Sequence, residues 1–180
     1  LAMTYAHYLP CGVSADGQVG DRARAQAAHD AGMASTTYFN PMICTSNPAY
    51  AGVAAAGALG RDATGAPYVY PYYTSRRFDV SQFDFSSTAG VAQFGGRLAE
   101  AYANGHDGWM EDFGEYTPAD IVSADGTPGS VMHNRYPTLY HRAGYTFAKA
   151  QRRPLARFNR SGWTGTAASS QVVWGGDPST

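Results

Sequence analysis

The sequence predicts an α/β fold built around a mostly parallel sheet. Three observations carry that prediction. Strand-like apolar runs alternate with segments of helical periodicity along the chain, the pattern of parallel strands joined by helical crossovers. With 180 residues, 44% hydrophobic and 15% charged, the chain has the length and composition of one domain with a packed core. No internal repeat or low-complexity tract interrupts the alternation. Two architectures satisfy it: an open doubly wound sheet, or part of a (β/α)₈ barrel, since a whole barrel typically takes ~250 residues.

Residues 1–9 are apolar and aromatic and are closed by Pro10 and Gly12, so they read as a strand. Asp21 is placed to cap a helix over 22–31, with Gly32 at the left-handed position after its end. Residues 33–39, rich in Thr and aromatics and ended by Asn40-Pro41, give a second strand. From 44 to 85 the chain reads mostly as loop, rich in Gly, Pro and Tyr, with a short helix near 50–58. A loop of that length is usually functional.

Ser87 caps the next helix, where Val91, Phe94, Leu98, Ala101 and Tyr102 fall at helical spacing and Gly105 marks the stop. Residues 108–113 form a short strand. Pro137 suits the first turn of a further helix, with Leu139, Ala143, Phe147 and Ala150 on one face. Residues 155–160 and 171–174 are the last two strands. The stretch 161–170 between them is shorter than the dozen or so residues a helical crossover needs.

Composition excludes several functions. A net charge of −1 gives no basic excess for neutralising phosphates, so nucleic acid is not the expected partner. No apolar run approaches the ~20 residues of a membrane span, and a membrane partner is not expected. His133 and His141 lack the i, i+4 spacing of a zinc pair, and no HExxH or cysteine cluster occurs, so no metal is expected. Gly95-Gly96 and Gly175-Gly176 match no nucleotide-binding loop, and no cofactor is expected. Cys11 and Cys44 form neither a disulfide framework nor a CxxC motif, and their pairing is open. Both termini read as interrupted structure, which predicts a fragment.

Functional groups on parallel sheets lie just past the C-terminal strand ends. That rule selects Asn40, Asp112 with Glu115, Arg160 and Asp177. Glu115 is expected to brace its loop, Asp84 to stabilise the start of the following helix, and Arg76-Arg77 to be solvated. Strand alternation places Trp109 in the core and Met110 on the pocket wall. Tyr68, Tyr70, Tyr72 and Tyr73 are the candidates for stacking on a flat apolar ligand face, with loop packing the expected use.

The local sequences sharpen this list. Gly108-Trp109-Met110-Glu111-Asp112-Phe113-Gly114-Glu115-Tyr116 resembles the nucleophile segment of glycoside hydrolase family 31. Arg160-Ser161-Gly162-Trp163 and Trp174-Gly175-Gly176-Asp177 resemble the family's next two active-site segments, in order. Met132-His133-Asn134-Arg135-Tyr136-Pro137 is similar to the branch of bacterial sulfoquinovosidases and related α-glycosidases.

The resemblance implies a partial (β/α)₈ barrel, roughly its second to sixth strands, occupying residues 1–180. It implies a retaining α-glycosidase with Asp112 as nucleophile and Asp177 as general acid/base. Arg160 and Trp174 would line the subsite of the sugar being cleaved, and the partner would be an α-glycoside. Met110 stands where many α-glucosidases of the family carry Trp, which favours the sulfoquinovosidase-like branch. Related alternatives are an α-transglycosylase, a non-catalytic carbohydrate-binding barrel remnant and an open α/β domain. A partial barrel exposes strand edges, so the isolated chain is expected to be inactive and poorly soluble. Oligomeric state and compartment are left open.

Overall fold

The computed structural model describes residues 2–3, 8–12, 17–73 and 76–177. Five parallel strands form one sheet: β1 (Ala2–Met3), β2 (Ser35–Phe39), β6 (Gly108–Glu111), β7 (Ala156–Asn159) and β8 (Val172–Val173). They lie side by side in chain order, as successive strands of a barrel wall do. Of the first predicted strand, Ala2–Met3 pair with β2, whereas Tyr8–Cys11 form a turn and residues 1 and 4–7 lie outside the described residues.

Helix α1 (Gly17–Asp30) joins β1 to β2. It begins before Asp21, so Asp21 is not its cap. The Asp21 carboxylate is buried and accepts hydrogen bonds from the Tyr8 hydroxyl (2.9 Å), Asn104 Nδ2 (3.3 Å) and His106 Nε2 (2.9 Å). Gly32 follows the helix at φ 69°, in the left-handed region predicted for it.

The predicted loop of 44–85 is instead an ordered insertion. Strands β3 (Met42–Cys44), β4 (Tyr70–Tyr73) and β5 (Arg77–Gln82) make an antiparallel sheet in the order β3-β5-β4, with α2 (Tyr50–Ala55) between β3 and β4. Gly and Pro mark its turns, and the short strands bury their backbone groups against each other. A disulfide joins Cys11 to Cys44 and ties this sheet to the segment after β1.

Helix α3 (Thr88–Ala103) starts at Ser87, whose Oγ accepts from the Gly90 N–H at 2.9 Å. Asp84 braces that start by accepting from Ser86 N and from Ala124 N. Phe94, Leu98 and Ala101 are buried as predicted, but Val91 points outward. Helix α4 (Gly129–Lys149) begins eight residues before Pro137, so Pro137 is interior rather than in the first turn. The helix runs through it because tertiary contacts anchor both sides. The Tyr136 hydroxyl donates to the Phe83 carbonyl (2.7 Å) and that of Tyr140 to the Phe39 carbonyl (3.2 Å). On the predicted face Ala143 is buried and Leu139 and Phe147 partly so, while Ala150 is the exposed cap. The short link between β7 and β8 holds a single 3-10 turn, Thr166–Ala168, in place of a helix.

Register sets the two faces of the parallel sheet. Tyr38, Met110, Phe158 and Val172 share one row, and Phe39, Glu111, Asn159 and Val173 the next. The period of two places Asn40, Asp112, Arg160 and Trp174 one step further on the Tyr38–Met110 face. Trp109, on the other face, is fully buried and packs against Phe39 and Phe147.

Candidate active site

The C-terminal ends of β2, β6 and β7 converge on the Asp112 carboxylate. Asp112 is 6% exposed. Its Oδ1 accepts from the Phe113 N–H at 2.9 Å and lies 3.2 Å from Arg160 Nη1. Its Oδ2 accepts from the Tyr38 hydroxyl. All three neighbours are donors, so they are satisfied by a carboxylate carrying no proton. Burial, followed by the Asp112 charge, pushes the Tyr38 phenol well above its ordinary value and keeps it a donor.

Arg160 is fixed on several sides. Its Nε and Nη2 donate to Glu115 Oε1 at 2.9 and 2.6 Å. Its guanidinium lies 4.5 Å from the centre of the Phe113 ring and 5.8 Å from that of Trp174. Burial works against the cation, but Asp112 and Glu115 outweigh it and hold Arg160 above its ordinary value. Glu115 is thereby a brace for Arg160.

Beyond β8, Trp174 N donates to the Asn159 carbonyl at 3.0 Å, and the Trp174 ring packs on Phe158. Gly176 has φ 86°, and a Cβ there would stand 3.5 Å from Arg160 Cδ. Asp177 follows it as an exposed residue. Met110 is partly buried on the Tyr38 face. Asn40 is buried beside the Tyr38 and Tyr72 side chains.

The insertion supplies an aromatic flank. Met42, Tyr70, Tyr72, Tyr73, Phe113 and Tyr116 line a cavity of about 320 Å³, and the Tyr72 ring meets Phe113 edge-on at 5.4 Å. Another cavity of about 320 Å³ holds Lys149, Arg152 and Arg153. It lies where α4 turns into β7, at the N-terminal strand ends, away from the side on which parallel sheets carry chemistry. Among the described residues, no group of three or more His, Cys, Asp or Glu is placed to hold a metal.

Sequence reasoning missed Tyr38 and Phe113. The signal for Tyr38 was its place two residues before Asn40 on the same strand face. For Phe113 there was none, since its φ of 61° is a tertiary outcome.

Residues 19–180 match the glycosyl hydrolases family 31 TIM-barrel domain. The chain belongs to glycoside hydrolase family 31. Its parallel sheet is part of that family's barrel. A sulfoquinovosidase of Agrobacterium fabrum is 30% identical over 154 residues, covering 83% of this chain and 23% of the relative. The solved structure of a family 31 sulfoquinovosidase from E. rectale, in complex with an aza-sugar inhibitor, superposes with a TM-score of 0.79. It is 25% identical, and the match covers 88% of this chain and 24% of that one. A family 31 dextranase from Flavobacterium johnsoniae, at 15% identity, shares the fold over 99% of this chain and 23% of its own, with a TM-score of 0.83. The chain thus spans about a quarter of the length of these family 31 relatives.

Proposed function

We propose that residues 1–180 belong to the catalytic barrel of a retaining α-glycoside hydrolase acting on an α-glucoside-like or α-sulfoquinovoside-like sugar. The observation that carries this reading is the Asp112 carboxylate, buried at a strand end and held by Tyr38, the Phe113 N–H and Arg160. Similarity to enzymes named sulfoquinovosidase supports the substrate class.

In the proposed reaction the Asp112 carboxylate attacks the anomeric carbon while Asp177 gives its proton to the departing glycosidic oxygen. Water then attacks the same carbon, Asp177 takes the water's proton, and the bond to Asp112 breaks. Two inversions leave the product in the α configuration. Arg160 and Trp174 flank the bound sugar, and Met110 forms part of the wall beneath it. The donors around Asp112 hold its oxygens in one orientation before the sugar arrives, which lowers the cost of reaching the transition state.

The test is the stereochemistry of the first-formed product of the intact protein on aryl α-glycosides, followed by proton NMR. Retention is expected, and Asp112→Asn should abolish turnover. Net inversion, or turnover by Asp112→Asn at the wild-type rate, overturns the assignment.

A further inference from the structure

Behind Asp112, on the helix-facing side of the sheet, lies a buried charged cluster outside the site just described. Glu111 on β6 is fully buried with four side-chain nitrogens at hydrogen-bond distance. Trp109 Nε1 and Arg157 Nε reach its Oε1, and Arg157 Nη2 and His141 Nδ1 reach its Oε2, each at 2.8 Å. The indole and the two-pronged Arg157 are donors in any state and hold Glu111 as a carboxylate, an acceptor only, so His141 Nδ1 at its Oε2 carries a proton. On the other side of the ring, His141 Nε2 lies 3.0 Å from Ser161 Oγ, and Ser161 Oγ lies 2.6 Å from the Phe113 carbonyl. A carbonyl cannot donate, so the one hydroxyl proton of Ser161 belongs to that short contact. Ser161 is left to accept from Nε2, which must carry a proton too.

We infer that His141 is held as an imidazolium and acts through Ser161 and Phe113 as a positioning residue for Asp112. This rests on the functional reading of Asp112 given above. Phe113 is the one non-glycine with positive φ among the described residues, a conformation that persists only when its surroundings fix it. Its carbonyl is tied to Ser161, its N–H holds Asp112 Oδ1, and its ring lies against Arg160. One residue thus links the buried cluster to both the carboxylate and the cation of the site. The charged groups facing His141 are Glu111 from β6 and Arg157 from β7, whose Nη2 also donates to the His141 carbonyl at 2.8 Å. On its own helix the Tyr140 ring lies 4.7 Å away, and Tyr145 flanks Arg157.

The test has two parts, both on the intact protein. In histidine-¹⁵N-labelled protein, long-range proton–nitrogen correlation at pH 8, with the His141 ring assigned by its contacts to Tyr140, should show two protonated ring nitrogens. An ordinary imidazole (pKa ~6.5) is neutral at that pH, and one unprotonated nitrogen at His141 overturns the inference. In kinetics, Ser161→Ala should lower kcat by up to about 100-fold with KM little changed, as expected for a misplaced reacting group. Ser161→Thr, which keeps the hydroxyl, should recover most of it. A folded Ser161→Ala with wild-type kcat overturns the positioning role. If the wild-type protein cleaves no α-glycoside, the functional reading fails and the positioning role falls with it, whereas the NMR result still decides the imidazolium.

Discussion

Arg160 Nη1 stands 3.2 Å from Asp112 Oδ1, while the other two nitrogens of the same guanidinium are given to Glu115. One planar cation therefore locks the end of β7 to the loop after β6, and its flat face lies against Phe113. Lysine has a single ammonium head and cannot serve both carboxylates and the ring at once. Arg160→Lys should reduce kcat/KM on an aryl α-glycoside by about 10- to 100-fold, the equivalent of ~1.5–3 kcal/mol for hydrogen bonds to charged groups. An unchanged kcat/KM would show that the fork geometry is unimportant.

Tyr38 tests the other oxygen of Asp112. Tyr38→Phe keeps the ring but leaves Oδ2 without its hydroxyl donor. A loss of roughly 10-fold in kcat is expected, matching a hydrogen bond to a charged group worth ~1.5 kcal/mol. Thermal unfolding of the same variant separates a lost catalytic contact from a general loss of fold. A drop in melting temperature with kcat intact would assign Tyr38 to stability alone.

Local patterns were legible where one segment decides its own structure. Ser87 at the start of α3, Gly32 after α1 and the alternation that buries Trp109 are all set by neighbours close in sequence. Features decided across the chain were not legible. Asp21 looked like a cap because acidic residues favour helix starts, yet partners 13 and 85 positions away draw its carboxylate into the core. Pro137 looked like a first-turn proline, and the anchoring of Tyr136 and Tyr140 lets α4 extend past it. The insertion's strands are short, set among glycine-containing connections and paired non-locally, so they resembled loop. At the site, strand-end reasoning reached Asp112 and Arg160, whereas Tyr38 and the Glu111–His141–Arg157 cluster emerge only once β2, β6, β7 and α4 are side by side.

The buried carboxylates predict how stability depends on pH. Burial raises the Glu111 carboxyl, but His141 and Arg157 outweigh it and leave it below its ordinary value of 4.5. Asp21 is likewise held below 3.8, with burial opposed by His106, Tyr8 and Asn104. A carboxyl lowered by folding stabilises the native state above its unfolded value, and that contribution is lost as pH falls through the folded value. The urea midpoint should therefore decline as pH drops below about 4.5. Glu111→Gln should flatten that decline while lowering the midpoint at neutral pH. A midpoint that rises on acidification would contradict the account.

Two glycines on helices give opposite expectations. A Cβ at Gly144 in α4 would fall 2.0 Å from Glu111 Oε1 and 3.1 Å from Arg157 Nη2. Gly144→Ala should destabilise the protein by ~3–5 kcal/mol, the cost of breaking a buried ion pair. At Gly95 in α3 nothing stands within 4 Å of the added carbon. Gly95→Ala should stabilise by up to ~1 kcal/mol through helix propensity. Chemical denaturation of both variants checks the pair, and similar effects at the two positions would contradict the packing described for α4.

The most direct measurement of the central claim is covalent labelling of the intact protein with an α-configured cyclitol epoxide, followed by peptide mass spectrometry. The account predicts one ester-linked adduct on Asp112, formed in step with loss of activity and absent from Asp112→Asn. An adduct on any other residue, or persistent labelling of Asp112→Asn, would contradict it.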